Sequence, residues 1–182
     1  YIKIFTTPEA RHNGKWDEGK YRLVDSNVSV LVINEDYVKI EGIQVKLISD
    51  VSYRYAIYLY EINDGALIEI SHSIIQGNLS GTLTECRGLN ISWFPTEPTR
   101  VAKIWNNIVY GFMDSGTSAK AIAIFQGWIV YLYNNTVYNN YYGIFKSASS
   151  VIVKNNISYN NVDNYYGTFD AASTNNLSGP DQ

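Results

Sequence analysis

Apolar and polar residues alternate over many short segments of the chain, and three such segments recur in a fixed order. In "VYLYNNTV", Val130 and Leu132 occupy alternate positions before an Asn pair, and Val137 lies just beyond it. After a turn comes a third segment, "GIFKS", which begins at Gly143. Period-two alternation is typical of β-strands, and no window has convincing helical periodicity. The sequence therefore predicts an all-β chain with three short strands per repeat.

The same three-strand unit recurs upstream in less regular form. Its corner segments are "VKIEGIQV", "IEISHSII", "AKIWNNIV", "VYLYNNTV", "VIVKNNIS" and a partial "ASTNNLS". The unit has about 20 residues plus loops of variable length, which predicts a β-solenoid of five to six coils over residues 28–182. Residues 1–27 do not carry the repeat, so we expect them to form an N-terminal entry or cap segment of a single compact domain.

This pattern of alternating apolar residues, an Asn pair and a Gly-led strand resembles the right-handed parallel β-helix of the pectate-lyase-like superfamily. The resemblance covers about residues 28–178. It implies three parallel sheets, of which the first is formed by the Gly-led strands, and an asparagine ladder at the corner between the second and third sheets. The implied ladder residues are Asn106, Asn134, Asn155 and Asn175. Amides in register at the ~4.8 Å spacing of neighbouring strands can bond along such a ladder.

Composition and charge narrow the classes of function. The chain has 182 residues, a formal net charge of -3 and no block of Lys or Arg, so nucleic acid is not an expected partner. No apolar run approaches the roughly 20 residues of a membrane span. Because Cys86 is the only cysteine, an intrachain disulfide and a cysteine-built zinc site are excluded, and no metal site is predicted.

The resemblance implies that a catalytic site would lie on the outer face of the first sheet and its flanking loops. A lyase site would need acidic residues to hold calcium and an Arg or Lys as base, and a hydrolase site would need two or three carboxylates. Strand alternation predicts two outward columns without any carboxylate or base: Leu31, Tyr58, Asn90, Ala123, Phe145 and Phe169, then Ile33, Tyr60, Ser92 and Phe125. No cofactor is therefore expected. Calcium would be expected only if the lyase alternative holds.

Three insertions beside the first sheet carry the remaining candidate residues, which are Glu85, Arg87, Glu97, Arg100, Asp114 and Lys120. Arg87 and Arg100 could contact a uronate carboxylate, and Lys120 could act as a base. These three are weak catalytic candidates. Ordinary solvated loop charges are the favoured interpretation, because no spacing signature supports a site.

The outward columns instead predict an apolar stripe, made of Leu31, Ile33, Tyr58, Tyr60, Phe125, Phe145 and Phe169. Such a stripe is larger than monomers usually leave in water. It could contact protein, stack sugar rings, or be covered by the cap and loops. Protein contact is favoured over glycan, because aliphatic Leu31 and Ile33 suit a dry interface.

The sequence thus favours a noncatalytic structural or adhesive module, extracellular or on a cell or virion surface. It would self-associate, or pack on another protein domain, through the apolar stripe or the open solenoid ends. A polysaccharide lyase or glycoside hydrolase acting on acidic polysaccharide is the first alternative, and a glycan-binding module is the second. The enzyme alternative requires Arg87, Arg100 or Lys120 to converge with a carboxylate over the first sheet.

Overall fold

A computed structural model describes residues 1–92 and 99–180. The described residues form strands and turns without a helix, so none of them forms a helix that could cross a bilayer. The strands are β1 (Ile2–Phe5), β2 (Arg22–Ser26), β3 (Leu31–Ile33), β4 (Tyr37–Glu41), β5 (Gln44–Ser49), β6 (Tyr55–Leu59), β7 (Leu67–Ser71), β8 (Ile74–Leu79), β9 (Arg87–Ile91), β10 (Arg100–Trp105), β11 (Ile108–Tyr110), β12 (Lys120–Ile124), β13 (Trp128–Tyr133), β14 (Thr136–Tyr138), β15 (Tyr142–Lys146), β16 (Ser150–Lys154), β17 (Ile157–Tyr159), β18 (Asp163–Tyr166) and β19 (Leu177–Ser178).

From β1 to β18 every third strand belongs to the same sheet, β19 continues the sheet of β17, and all of the pairings between these strands are parallel. The first sheet has the order β3-β6-β9-β12-β15-β18, the second β1-β4-β7-β10-β13-β16, and the third β2-β5-β8-β11-β14-β17-β19. This order requires the chain to pass through the three sheets in turn and to rise by one strand with each coil. The fold is a right-handed parallel β-helix of six coils, as the repeat predicts.

The interior is filled by aliphatic side chains that stack in register from coil to coil. In the second sheet one such column contains Ile4, Ile40, Ile70, Ile104, Leu132 and Val153. Similar residues stacked at the strand spacing bury apolar surface continuously along the axis, which is the main source of stability in a solenoid.

The first 27 residues supply two strands of the first coil. Strand β1 pairs with β4 and β2 pairs with β5, so the predicted boundary at residue 27 falls inside that coil. Between these strands, residues 6–21 form a loop over the corner of the second and third sheets. There His12 Nε2 lies 2.9 Å from the carbonyl oxygen of His72, and Asp17 N–H donates to Gln44 Oε1 (2.7 Å).

The asparagine ladder lies one residue beyond its predicted position. Asn106, Asn134, Asn155 and Asn175 have φ between 55° and 58° and point towards solvent. The left-handed turn at each of them directs the next residue into the corner. The amides that form the buried ladder are therefore those of Asn107, Asn135, Asn156 and Asn176, with Nδ2 to Oδ1 distances of 3.1, 3.0 and 3.0 Å.

Upstream, Ser73 replaces the ladder asparagine, and its N–H donates to Asn107 Oδ1 (3.0 Å). A second, shorter ladder was not predicted. It lies at the corner between the third and first sheets, where Asn140 Nδ2 donates to Asn161 Oδ1 (2.8 Å). Its left-handed residues are Asn139 and Asn160, so both Asn pairs of "NNTVYNN" and both of "KNNISYNN" have the same conformation.

Candidate functional site

The outer face of the first sheet differs from the predicted columns at both ends. Leu31 pairs with inward-facing Ile57, and Ile33 pairs with Leu59, so both of these residues point into the interior. Val32 takes the outward position in their place. At the other end Phe169 follows the last strand, contacts the Tyr165 ring and packs against the core, and Tyr166 is the outward residue. The aliphatic part of the predicted stripe is thus absent from this face.

The outward residues that remain are mainly aromatic, and their rings form two groups in contact, one of three tyrosines on β6 and the turn after it and one that extends from Phe125 to Tyr166. We call this set the aromatic face: Tyr55, Tyr58, Tyr60, Phe125, Tyr142, Phe145 and Tyr166. Phe145 stacks on Tyr166 with ring centres 4.8 Å apart and planes 4° from parallel. Because the rings cover one another, Phe125 and Phe145 are half-buried, whereas Tyr60 (39% exposed) and Tyr166 (44%) remain open.

Three charged side chains lie beneath these rings. Lys120 Nζ donates to Glu85 Oε1 (2.8 Å) and to the carbonyl oxygen of Ser118 (2.7 Å). Arg87 donates to the other oxygen of the same carboxylate, Oε2, from Nε at 3.0 Å and also from Nη2. Two of the three weak catalytic candidates therefore converge with a carboxylate, as the enzyme alternative requires. The cluster carries two cations and one anion, a formal charge of +1.

The aromatic rings hold both cations by their faces. The Arg87 guanidinium carbon is 4.4 Å from the centre of the Phe125 ring and 5.4 Å from that of Tyr55. Lys120 Nζ is 4.8 Å from the Phe145 ring centre and 5.5 Å from that of Tyr142. The ring quadrupole attracts a cation in this position, which partly replaces the water that the buried charge has lost.

Burial and charge act against each other on the pKa values of this cluster. Burial lowers the pKa of Lys120, and its bond to Glu85 only partly opposes the change. For Glu85, burial alone would raise the pKa, but the hydrogen bonds from Lys120 and Arg87 outweigh it and leave the pKa below its ordinary value. The side chain of Lys120 is only 4% exposed, so its amine does not reach the surface.

Arg100 lies elsewhere. It begins β10 at the corner between the first and second sheets, where it forms an ion pair with Asp64 Oδ1 (2.6 Å) and donates to the carbonyl oxygen of Ile62 (2.6 Å). Asp114 accepts the N–H of Leu83 (2.6 Å) and so holds one loop against another. Glu97 lies outside the described residues.

A groove of about 450 Å³ opens in the aromatic face at the third and fourth coils. It exists because the column Tyr58, Asn90, Ala123 and Phe145 has two small residues between two large ones. Tyr58 and Phe125 form its walls, and Arg87 and Asn90 lie on its floor, joined by a hydrogen bond of 2.6 Å. Hydroxyl groups surround it, from Tyr53, Tyr55, Tyr58, Ser92 and Ser147.

Sequence reasoning placed Arg87 and Lys120 in loops, although both begin strands of the first sheet. The sequence does contain a pattern that indicates this position for Arg87 and Lys120. Each precedes a small residue and an aliphatic one, as in Arg87-Gly88-Leu89, and so do Tyr55 and Tyr142. The small residue points inward as well as the aliphatic one, since a Cβ on Gly88 would lie within 3.0 Å of Val109 and 2.8 Å of Phe112. Because two successive residues point inward, the alternation of inward and outward side chains fails here. The residue before the small one therefore lies on the outer face.

Among residues 1–92 and 99–180, no three His, Cys, Asp or Glu side chains come together as a metal site would need. No protein-family model matches the chain, and no curated protein or solved structure is significantly similar to it.

Proposed function

We propose that the protein is a noncatalytic saccharide-binding module of the pectate-lyase-like superfamily, extracellular or on a cell or virion surface. The observation that carries the proposal is the groove in the aromatic face, which has aromatic walls and hydroxyl groups around its rim. Sugar rings have apolar faces that pack on aromatic side chains and hydroxyl edges that need hydrogen-bond partners. A groove with a few polar groups placed among aromatic walls meets both requirements.

The inward position of Leu31 and Ile33 favours a sugar over a dry protein interface here, because it removes from this face the two aliphatic residues that suited protein contact. Apart from Val32, the open face consists mainly of rings with hydroxyl or guanidinium neighbours. Such a surface stays partly hydrated, as an interface with a saccharide does.

The charged cluster supports binding without catalysis. A base in a lyase must reach the carbon that it deprotonates. Lys120 Nζ is instead bound to Glu85 and to the Ser118 carbonyl oxygen beneath the rings, and Arg87 is held by Glu85 and Asn90. The cluster therefore fixes the floor of the groove. Calcium would be needed only by the lyase alternative.

Affinity electrophoresis through gels that contain one soluble polysaccharide at a time tests the proposal. We expect at least one polysaccharide to retard the protein, and we expect Tyr58→Ala and Phe125→Ala to remove the retardation. The control is Tyr159→Ala, which changes an exposed ring of the third sheet, outside the groove. If both groove variants are retarded as strongly as the unaltered chain, the groove is not the binding site.

Self-association is a second candidate, and one observation favours it. Tyr60, Tyr166 and Val32 are exposed on the aromatic face, so part of it would be buried by a second copy. Sedimentation equilibrium would then give a mass above 20.6 kDa that falls when Phe145→Asp places a charge among the rings. A mass of 20.6 kDa at every concentration would exclude this candidate.

A further inference from the structure

We propose that the outer face of the second sheet is a separate binding site for a linear anionic polysaccharide. This site does not depend on the groove in the aromatic face. Only one consequence rests on the proposed function: with both sites occupied, the module would bridge two saccharide chains.

The charge of this face is opposite to that of the chain. Its outward side chains include four lysines and two glutamates, a formal charge of +2 on a protein of net charge -3. These residues are Lys3, Lys39, Lys103, Lys154, Glu41 and Glu69.

The lysines also reach further into solvent than the glutamates. Lys39 Nζ lies 2.7 Å from Glu69 Oε2, but 46% of the lysine side chain is exposed and only 15% of the glutamate. Lys103 is exposed on the next coil. A ligand that approaches the face therefore meets ammonium groups first, which favours an anionic ligand.

The face also has an aromatic groove. A cavity of about 680 Å³ is bounded by Leu67, Val101, Trp105, Tyr131 and Tyr133. A second cavity, of about 280 Å³, continues it past Lys39 and Lys3, and the two share Glu69 and Trp105.

The combined groove crosses five neighbouring strands from β1 to β13, so it runs along the solenoid axis for roughly 20 Å at the spacing of parallel strands. A long, open groove suits a linear chain better than a compact ligand. The rings of Trp105, Tyr131 and Tyr133 offer faces on which successive pyranose rings can pack, and the lysines can pair with carboxylate or sulfate groups. The low charge of the face and the net charge of -3 disfavour a polyphosphate, which binds through many cations.

The test uses alginate and its propylene glycol ester, two chains that differ in whether their carboxylates are charged. Binding is measured in the Phe125→Ala background, so that the groove of the aromatic face contributes little. We expect Trp105→Ala to weaken alginate binding at least about tenfold, as loss of a central aromatic anchor does. We expect Lys103→Glu to weaken it about threefold or more, and the ester to bind more weakly than alginate.

Tyr37→Ala is the matched control, because Tyr37 is exposed on the same sheet but does not line the groove. Circular dichroism and unfolding midpoints check that each variant folds. If Trp105→Ala does not fold, the exposed substitution Lys103→Glu still decides the question.

The proposal is overturned if the unaltered chain does not bind alginate, if Trp105→Ala and Lys103→Glu bind it as tightly as Tyr37→Ala, or if the ester binds equally well. Tighter binding of a single-stranded oligonucleotide than of alginate overturns it too. The two sites are separable. If Phe125→Ala alone has no effect while Trp105→Ala does, the groove of the aromatic face fails and the second-sheet site stands.

Discussion

Two lysine–glutamate ion pairs on different faces have almost the same N–O distance, but the pKa of the lysine is raised in one pair and lowered in the other. Lys39 lies 2.7 Å from Glu69 on the second sheet, and Lys120 lies 2.8 Å from Glu85 beneath the aromatic face. The hydrogen bond to Glu69 raises the pKa of Lys39, whereas burial lowers the pKa of Lys120 despite its bond to Glu85. The distance between partners therefore does not determine the effect of an ion pair. The water that each partner has lost determines it.

The largest expected difference between the two pairs is in stability. Glu85→Gln leaves Lys120 and Arg87 without a counter-charge under the rings, so we expect the free energy of unfolding to fall by about 3 kcal/mol. Glu69→Gln is the matched substitution on the second sheet, and we expect a much smaller loss because water solvates Lys39. Urea unfolding of both variants measures the difference. Equal losses would mean that burial of the first pair has no energetic consequence.

A smaller expected difference is in the response to alkaline pH. The folded protein loses the Lys120 proton below the ordinary pKa of 10.5, so the unfolded chain binds more protons in that interval and this group makes stability rise with pH. Lys39 has a raised pKa, so its contribution is present below 10.5 and is lost as pH rises through the higher folded value.

The measurement is the free energy of unfolding between about pH 8 and 11, compared among the unaltered chain, Lys120→Met and Lys39→Met. The comparison cancels the contributions of the titrating groups that all three chains share. Each single-proton slope is below about 1.4 kcal/mol per pH unit. We expect the two variants to deviate from the unaltered chain with opposite signs. Deviations of the same sign would contradict the opposite pKa shifts.

The smallest expected difference is in the effect of salt. Exposed charges are screened strongly at about 1 M salt, where the Debye length is about 3 Å, and buried pairs are screened much less. Double-mutant cycles on each pair, at low and high salt, should show a coupling energy that decreases for Lys39 and Glu69. The coupling between Lys120 and Glu85 should change little. A buried pair that weakened as much as the exposed one would have to be in contact with solvent.

The sequence predicted the coil, because its signal repeats six times and each copy supports the others. The ladder position was wrong by one residue, since the two asparagines of a pair are identical in sequence and only the backbone separates them. Asn134 has a φ of 55° and faces solvent, while the amide of Asn135 bonds to the neighbouring coils. A residue-level prediction at this corner needs the handedness of the turn.

The errors on the first sheet have another physical cause. Strand β3 has only three residues, Leu31–Ile33, and all of them are aliphatic, so their own pattern does not set the phase and Leu31 was assigned to the wrong face. The cluster beneath the rings was beyond sequence reasoning, because Glu85 and Lys120 are 35 residues apart. Their contact follows from the stacking of two coils, each of which has its own loop length.

Successive residues of the asparagine corner, beginning with Ser73, are separated by 34, 28, 21 and 20 residues along the chain, yet their hydrogen bonds differ by no more than 0.1 Å. Extra residues of the long coils include those at 80–86 and 111–119, between the third and first sheets. Both natural variation and protein engineering can therefore change the length and sequence of these segments. A new peptide grafted between β11 and β12 would change what borders the aromatic face and leave the register of the coil as it is.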